Sequence, residues 1–168
     1  MLELLAGSDV VLEDRPRVVI RVVDGDTLVV TRRAGSERVR LIGINAPESV
    51  DPRRGVQCFG REAARRAAEL ARGKSVYLAT DPSQSRIDDH GRLLAYVWLP
   101  DGRMLNLRLL AEGYANEYTY DRAHPYAFQE SFRAARDDAA RLELGLWAPD
   151  TCAGDFDAVP AAAPAGRR

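Results

Sequence analysis

Lysine is almost absent. Of 24 basic residues only Lys74 is a lysine, so arginine carries the cationic character. Arginine presents a planar fork suited to bidentate contact with phosphate or carboxylate, where an ammonium acts as a point charge. An excess of positive charge is also lacking. With 25 acidic residues the formal net charge is −1 and the pI is near 6.1, which counts against binding polyanions through overall charge and leaves the distribution of the arginines to decide. No run approaches the roughly eighteen consecutive apolar residues that span a bilayer. Residues 1–16 lack the basic-then-apolar order of a secretory signal, so the chain as it stands is expected to be soluble, without a membrane partner, and its compartment is left open. Cysteine is scarce. Cys58 and Cys152 belong to no CxxC or Cys/His pattern, which argues against a zinc site. Two readings remain for them: free thiols, or a pair that closes a long loop and implies an oxidising compartment.

What is present suits one core: 168 residues with 46% apolar composition favour a single domain, with a monomer as the default. Val- and Ile-rich stretches at 17–23, 28–33 and 38–44 read as three strands. A tip at Ala34-Gly35-Ser36 makes the last two a hairpin whose paired numbers sum to about 70, setting Asp26 opposite residues 43–45 and Arg40 opposite Val30. Residues 57–72 carry Phe59, Ala63, Ala67 and Leu70 near the helical period and stop at Gly73, a natural C-terminal cap. Strands follow at 75–79 and 93–99, then a short helix at 104–112 and a longer one spaced by Phe128, Phe132, Ala135, Ala139 and Leu142. The order βββ-α-ββ-α-α suits a five-stranded barrel with three helices. Residues 1–15 show no periodicity and 154–168 form an Ala/Pro run closing on two arginines, so 16–153 is the expected domain, with loosely ordered ends.

Asp24-Gly25-Asp26-Thr27 places two carboxylates two residues apart at a strand start, the oxygen chemistry that hard divalent cations require. Asp-Gly alone is also a common turn dipeptide, with Gly25 permitting a tight turn. Context adds weight, because the hairpin brings Arg40 and the segment Gly43-Ile44-Asn45-Ala46-Pro47-Glu48 toward Asp26. In isolation Arg40 reads as a solvated strand charge and Pro47-Glu48 as a strand stop.

Six blocks in order, VVDGDTLVV, VRLIGINAPE, CFGREA, DDHGRLLAYVWL, DGRMLN and EGYA, closely resemble the staphylococcal nuclease (thermonuclease-like) family over residues 18–147. The resemblance implies an OB-type five-stranded barrel with three helices, a fold that binds nucleic acids across an exposed barrel face. It further implies a sequence-nonspecific hydrolase that cuts DNA and RNA, single strands preferred, to 3′-phosphate products with one calcium ion. Matched by motif, Asp26, Asn45 and the Ala46 carbonyl take the metal positions, and Glu48 sits beside the attacking water. Arg40 and Arg92 match the phosphate-clamping arginines, and Tyr118 and Tyr120 the tyrosines that frame the nucleotide. A Cys before the first helix and another beyond Trp147 resemble a feature of secreted bacterial relatives, which implies a disulfide and an extracellular or cell-envelope location.

The chain departs from the family at two of these positions and at His90. Asn45 replaces the usual aspartate, and a neutral amide oxygen is a weaker ligand for a dication. Ala46 stands where a threonine is usual, and His90 where a tyrosine is. His90 reads as an exposed loop residue, and Asp88 and Asp89 as a solvated loop pair without a catalytic role. Tyr96, Trp98 and Trp147 read as packing residues. Three function classes follow: a calcium-dependent nuclease; a catalytically impaired OB-type nucleic-acid-binding domain whose metal site has decayed at Asn45; and a structural or protein-interaction barrel, which has no need of Asp26, Arg40, Glu48 and Arg92 together.

Overall fold

The computed structural model describes residues 8–49 and 55–158. Within them the elements run β1 (Val11–Leu12), β2 (Arg17–Asp24), β3 (Thr27–Thr31), β4 (Ser36–Leu41), β5 (Ile44–Asn45), α1 (Gly60–Ala71), β6 (Ser75–Thr80), β7 (Leu93–Trp98), α2 (Leu105–Ala111), β8 (Asn116–Glu117) and α3 (Gln129–Arg141), then a 3-10 turn at Gly145–Trp147. Five strands close a mixed barrel. β2, β3 and β4 form an antiparallel meander, β4 runs parallel to β7 with Val39 opposite Leu93, β7 pairs with β6, and β6 returns to β2. The expected strand and helix order and the five-stranded barrel are therefore observed, with β1, β5 and β8 as additions too short for any periodic signal.

The core follows from alternation. Val19, Leu28, Val30, Val39 and Leu41 are at most 1% exposed and fill the inside of the meander. α1 packs Ala63, Ala67 and Leu70 inward at helical spacing, and α2 buries Leu105, Leu109 and Leu110 completely, each leucine contributing roughly 1.5–3 kcal/mol. Asn106 is fully buried in α2 and is satisfied on both sides. Its Oδ1 accepts from Val97 N–H at 3.0 Å and its Nδ2 donates to Ile42 O at 2.9 Å, pinning the end of β4 where the chain turns toward β5.

The hairpin register differs from the expected one. Thr27 pairs with Arg40 and Val30 with Glu37, so paired numbers sum to 67 rather than about 70, and Leu41 N–H donates to Asp26 O at 2.9 Å. The cause lies at the tip. Ser36 belongs to β4 and the loop holds the four residues from Arg32 to Gly35, with Gly35 at φ 96 and Arg32 N–H bonded to Gly35 O at 3.0 Å. Arg40 consequently lies beside the residue that follows Asp26, not opposite Val30.

β2 carries two bulges. Val19 pairs with Val30 but Arg21 with Val29, and Val22 pairs with Leu28 but Asp24 with Thr27. Val19 and Val22 point inward, so strict alternation would turn Arg21 and Asp24 into the core as well. Each extra residue rotates the next side chain to the outer face.

Cys58 and Cys152 form a disulfide across a sequence separation of 94. The pair sits in a small satellite core with Leu146, against which Phe59, Trp147 and Phe156 pack. Helix α1 starts at Gly60 instead of residue 57, because Phe59 adopts φ 66 and the preceding turn serves the disulfide. Within the segment read as a loose N-terminal extension, Val11 pairs with Thr80 and Glu13 bonds Arg17 at 2.6 Å, while residues 1–7 lie outside the described residues. Of the segment read as a flexible tail, residues 154–158 turn back so that Phe156 O accepts from Cys58 N–H at 3.0 Å; 159–168 lie outside the described residues.

Candidate active site

The two carboxylates of the Asp-Gly-Asp-Thr stretch serve different ends. Asp24 and Thr27 pair to close a two-residue loop of Gly25 and Asp26. Glycine is required at 25 for proximity, not for a left-handed backbone: a Cβ there would meet the Ala46 Cβ at 2.5 Å and the Ala63 Cβ at 2.9 Å. This contact lays the Ala46 segment directly on the turn. Asp26 is only 6% exposed; its Oδ2 accepts from Ala46 N–H at 2.8 Å and its Oδ1 from the Thr27 hydroxyl at 2.9 Å.

Arg40 joins the two halves of the site. It lies 3.2 Å from Asp26 Oδ2, donates to Leu41 O at 2.8 Å and Ile44 O at 2.7 Å, and reaches Asn45 Oδ1 at 3.3 Å. One guanidinium nitrogen thus spans the Asp26 carboxylate and the Asn45 amide oxygen, bringing together Asp26, Arg40, Asn45 and Ala46.

Glu48 is placed through its main chain. Gln57 accepts the Glu48 N–H at its Oε1 and donates its own N–H to Glu48 O, both at 2.8 Å, while its Nε2 donates to Asp157 Oδ1 at 3.0 Å. On the other side Ser49 donates to Asp24 Oδ1 from its hydroxyl at 2.7 Å and its N–H at 3.2 Å. Gly60 completes the fit, since a Cβ there would stand 2.3 Å from Glu48 O. Gln57 and Ser49 were not legible as functional residues in the sequence. Gln57 reads there as the first turn of a helix, and the disulfide that diverts it carries no local signal.

Arg92 is organised by Asp88, which accepts from Arg92 Nε at 2.7 Å and from the N–H groups of His90 and Arg92 at 2.9 Å. Asp88 is therefore a bracing residue and more than a solvated loop charge; its four-residue spacing from Arg92 was the available signal. Burial opposes its charge, but the Arg92 donors outweigh this and hold its pKa below the usual carboxylate value. Arg92 then extends to 3.5 Å from the Thr27 hydroxyl, next to Asp26.

Tyr118 and Tyr120 arrive by the β5–β8 ribbon, in which Asn45 pairs with Asn116 and Tyr118 N–H donates to Gly43 O at 3.0 Å. The two residues are 46% and 75% exposed, with ring centroids 6.5 Å apart. Between them and the barrel lies a cleft of about 800 Å³ lined by Arg40, Asn45, Arg92, Tyr118, Tyr120, His90 and His124, among others. Asp26, Ala46 and Glu48 do not line it; Asp26 and Ala46 stand behind Arg40 and Asn45. Asp24 is shifted in the opposite direction to Asp88. Burial raises its pKa, the Ser49 donors oppose that rise, and Glu48 and Asp26 add to it, so three acidic groups interact at one place.

A family model described as Staphylococcal nuclease homologue matches residues 38–149. The thermonuclease of Staphylococcus hyicus is 36% identical over 129 residues, covering 77% of this chain and 73% of the relative. The chain belongs to the staphylococcal nuclease homologue family. The thermonuclease of Staphylococcus intermedius is likewise 36% identical, over 130 residues, and the SPbeta prophage-derived endonuclease YokF of Bacillus subtilis is 37% identical over 128, of whose length the chain spans 42%. The Asp26 carboxylate and the Asn45 amide oxygen are donors of the kind hard divalent cations take, and here both face the same Arg40 nitrogen. Among the described residues no three His, Cys, Asp or Glu side chains group to hold a metal, so a cation beside Asp26 would depend on amide or main-chain oxygens as well. The set fits a hard divalent cation in chemistry and is poor in charge, with Asp24 and Glu48 adding negative potential nearby.

Proposed function

We propose that this chain is a calcium-dependent, sequence-nonspecific phosphodiesterase that hydrolyses DNA and RNA, preferentially single-stranded, to 3′-phosphate products. One observation carries the reading: Asn45, Arg40 and Arg92 line a cleft bordered by exposed tyrosines, with the Asp26 carboxylate directly behind Arg40. Asp26, Asn45 and the Ala46 carbonyl hold the ion, which supplies charge neutralisation at the phosphate. Arg40 and Arg92 donate to the equatorial oxygens of the phosphate as negative charge builds there. Glu48 orients the attacking water and accepts its proton at the carboxylate. The water oxygen forms the new P–O bond, the bond to the 5′ oxygen breaks with its electron pair going to that oxygen, which takes a proton from solvent and leaves as the 5′ hydroxyl, and the phosphate stays on the 3′ side. Tyr118 and Tyr120 frame the nucleotide, and their exposure suits stacking on unpaired bases. The disulfide favours an oxidising compartment, extracellular or in the cell envelope, and the enzyme acts as a monomer.

A second reading, an impaired nucleic-acid-binding domain, is favoured by Asn45 itself, whose neutral oxygen is engaged by Arg40 at 3.3 Å. End-group analysis of digested denatured DNA separates the two. The nuclease reading requires fragments, formed with calcium and not with chelator, that a polymerase extends only after phosphatase treatment. Fragments extendable at once, or cutting that ignores the chelator, contradict it.

A further inference from the structure

The outer face of the meander carries a second row of arginines beside the clamping pair. β4 turns Val39 and Leu41 inward, so Arg38 and Arg40 share its outer face, about 7 Å apart along the strand. The row through Arg40 runs from Thr27 to Leu94 on β7, at the cleft. The adjacent row runs from Arg21 through Val29 to Arg38, and one further step of the parallel β4–β7 register carries it to Arg92.

Arg21 faces outward only because of the bulge between Val19 and Arg21. Bulges cost ladder pairing, and their use beside sites is to re-aim side chains. The second bulge of the same strand does this for Asp24. Arg21 and Arg38 are exposed and, unlike Arg17, Arg40, Arg66, Arg92 and Arg108, have no acidic partner among the described residues. In a chain whose net charge is −1, these are locally uncompensated cations, Arg38 being the register neighbour of the cleft-lining Arg40 and Arg92 and Arg21 lying beyond the buried Val29.

We propose that Arg21 and Arg38 bind the phosphates of a polynucleotide that flank the one held by Arg40 and Arg92, extending the site along the outer face of β2, β3 and β4. The ligand class rests on the phosphodiesterase reading; the spacing supports it for Arg38, whose interval from Arg40 on β4 matches that between successive phosphates of an extended strand, while Arg21 lies two strand spacings, about 10 Å, further along the same row. The strip recognises backbone charge and carries no base specificity.

Fluorescence anisotropy with a labelled oligothymidylate of about twenty residues in chelator tests this without turnover. Each phosphate contact on a single strand contributes roughly 0.7 to the slope of log affinity against log salt. Arg21→Gln/Arg38→Gln is expected to lower that slope by about 1.4, losing roughly sevenfold less affinity than wild type between about 50 and 200 mM salt. Arg21→Lys/Arg38→Lys should keep the wild-type slope, as should Arg61→Gln/Arg65→Gln on the exposed face of α1. A wild-type slope in the Gln pair, an equal fall in the α1 pair, or no binding by wild type overturns the proposal. Cleavage with calcium, run in parallel, reports the chemistry separately. Cutting with an unchanged slope in the Gln pair sinks the strip alone, and an altered slope without cutting sinks the phosphodiesterase reading alone.

Discussion

Reducing the Cys58–Cys152 disulfide should cost stability in proportion to the loop it closes. With a sequence separation of 94, the chain-entropy relation gives about 4.7 kcal/mol at 25 °C. For a domain of this size each kcal/mol corresponds to roughly 2–4 °C in Tm, so the loss should be about 9–19 °C. The satellite core of Cys58, Leu146 and Cys152 remains apolar in a Cys58→Ala/Cys152→Ala double variant, which separates loss of the cross-link from loss of packing. Thermal melts by circular dichroism would compare wild type, wild type with reductant, and the double variant. Wild type with reductant and the double variant should agree within a few degrees and fall well below oxidised wild type. A drop under about 3 °C would refute the reasoning, because it would mean that the cross-link constrains little of the unfolded chain.

Three further outcomes follow from the site. Gln57→Ala removes the acceptor for Glu48 N–H and should lower kcat by roughly fivefold, about the worth of one hydrogen bond, with KM for denatured DNA little changed; an equal change in KM would show that Gln57 does not act through Glu48. Arg92→Ala should lower kcat by about 10²–10³ while Tm moves by no more than about 4 °C, because the lost Asp88 contact is a partly exposed pair; comparable losses in both would remove Arg92 from the chemistry. Asp24→Asn keeps an acceptor for Ser49 and removes a charge that burial, Glu48 and Asp26 disfavour. A carboxyl whose folded pKa is raised costs stability at pH above that pKa and nothing below the unfolded value. Asp24→Asn should therefore melt higher than wild type at neutral pH and without calcium, and the gap should vanish as pH falls through the carboxylate range. A gap that persists in acid would contradict the assignment.

The barrel was legible because its strands are built from Val and Ile on a period of two and its helices from Ala and Leu near 3.6. The site was less so, for local reasons. The register slipped because the tip loop has four residues, and nothing in Arg-Arg-Ala-Gly distinguishes that from a three-residue tip. The bulges of β2 have no composition signal, yet they turn Arg21 and Asp24 outward. Gly25 suggests a tight turn, which the structure has, but the approach of Ala46 and Ala63 that demands glycine there has no sequence signal. The ribbon that carries Tyr118 and Tyr120 to Asn45 is two residues a side, too short to show periodicity.

Cleavage of denatured DNA over a calcium series at mildly alkaline pH tests the central claim most directly, with wild type, Glu48→Ala and Asn45→Asp compared. The account predicts cutting by wild type that rises with calcium, loss of cutting in Glu48→Ala, and half-maximal cutting at lower calcium in Asn45→Asp. No cutting by wild type at any calcium concentration, with activity appearing only in Asn45→Asp, would contradict it and identify a binding domain whose cation site has decayed.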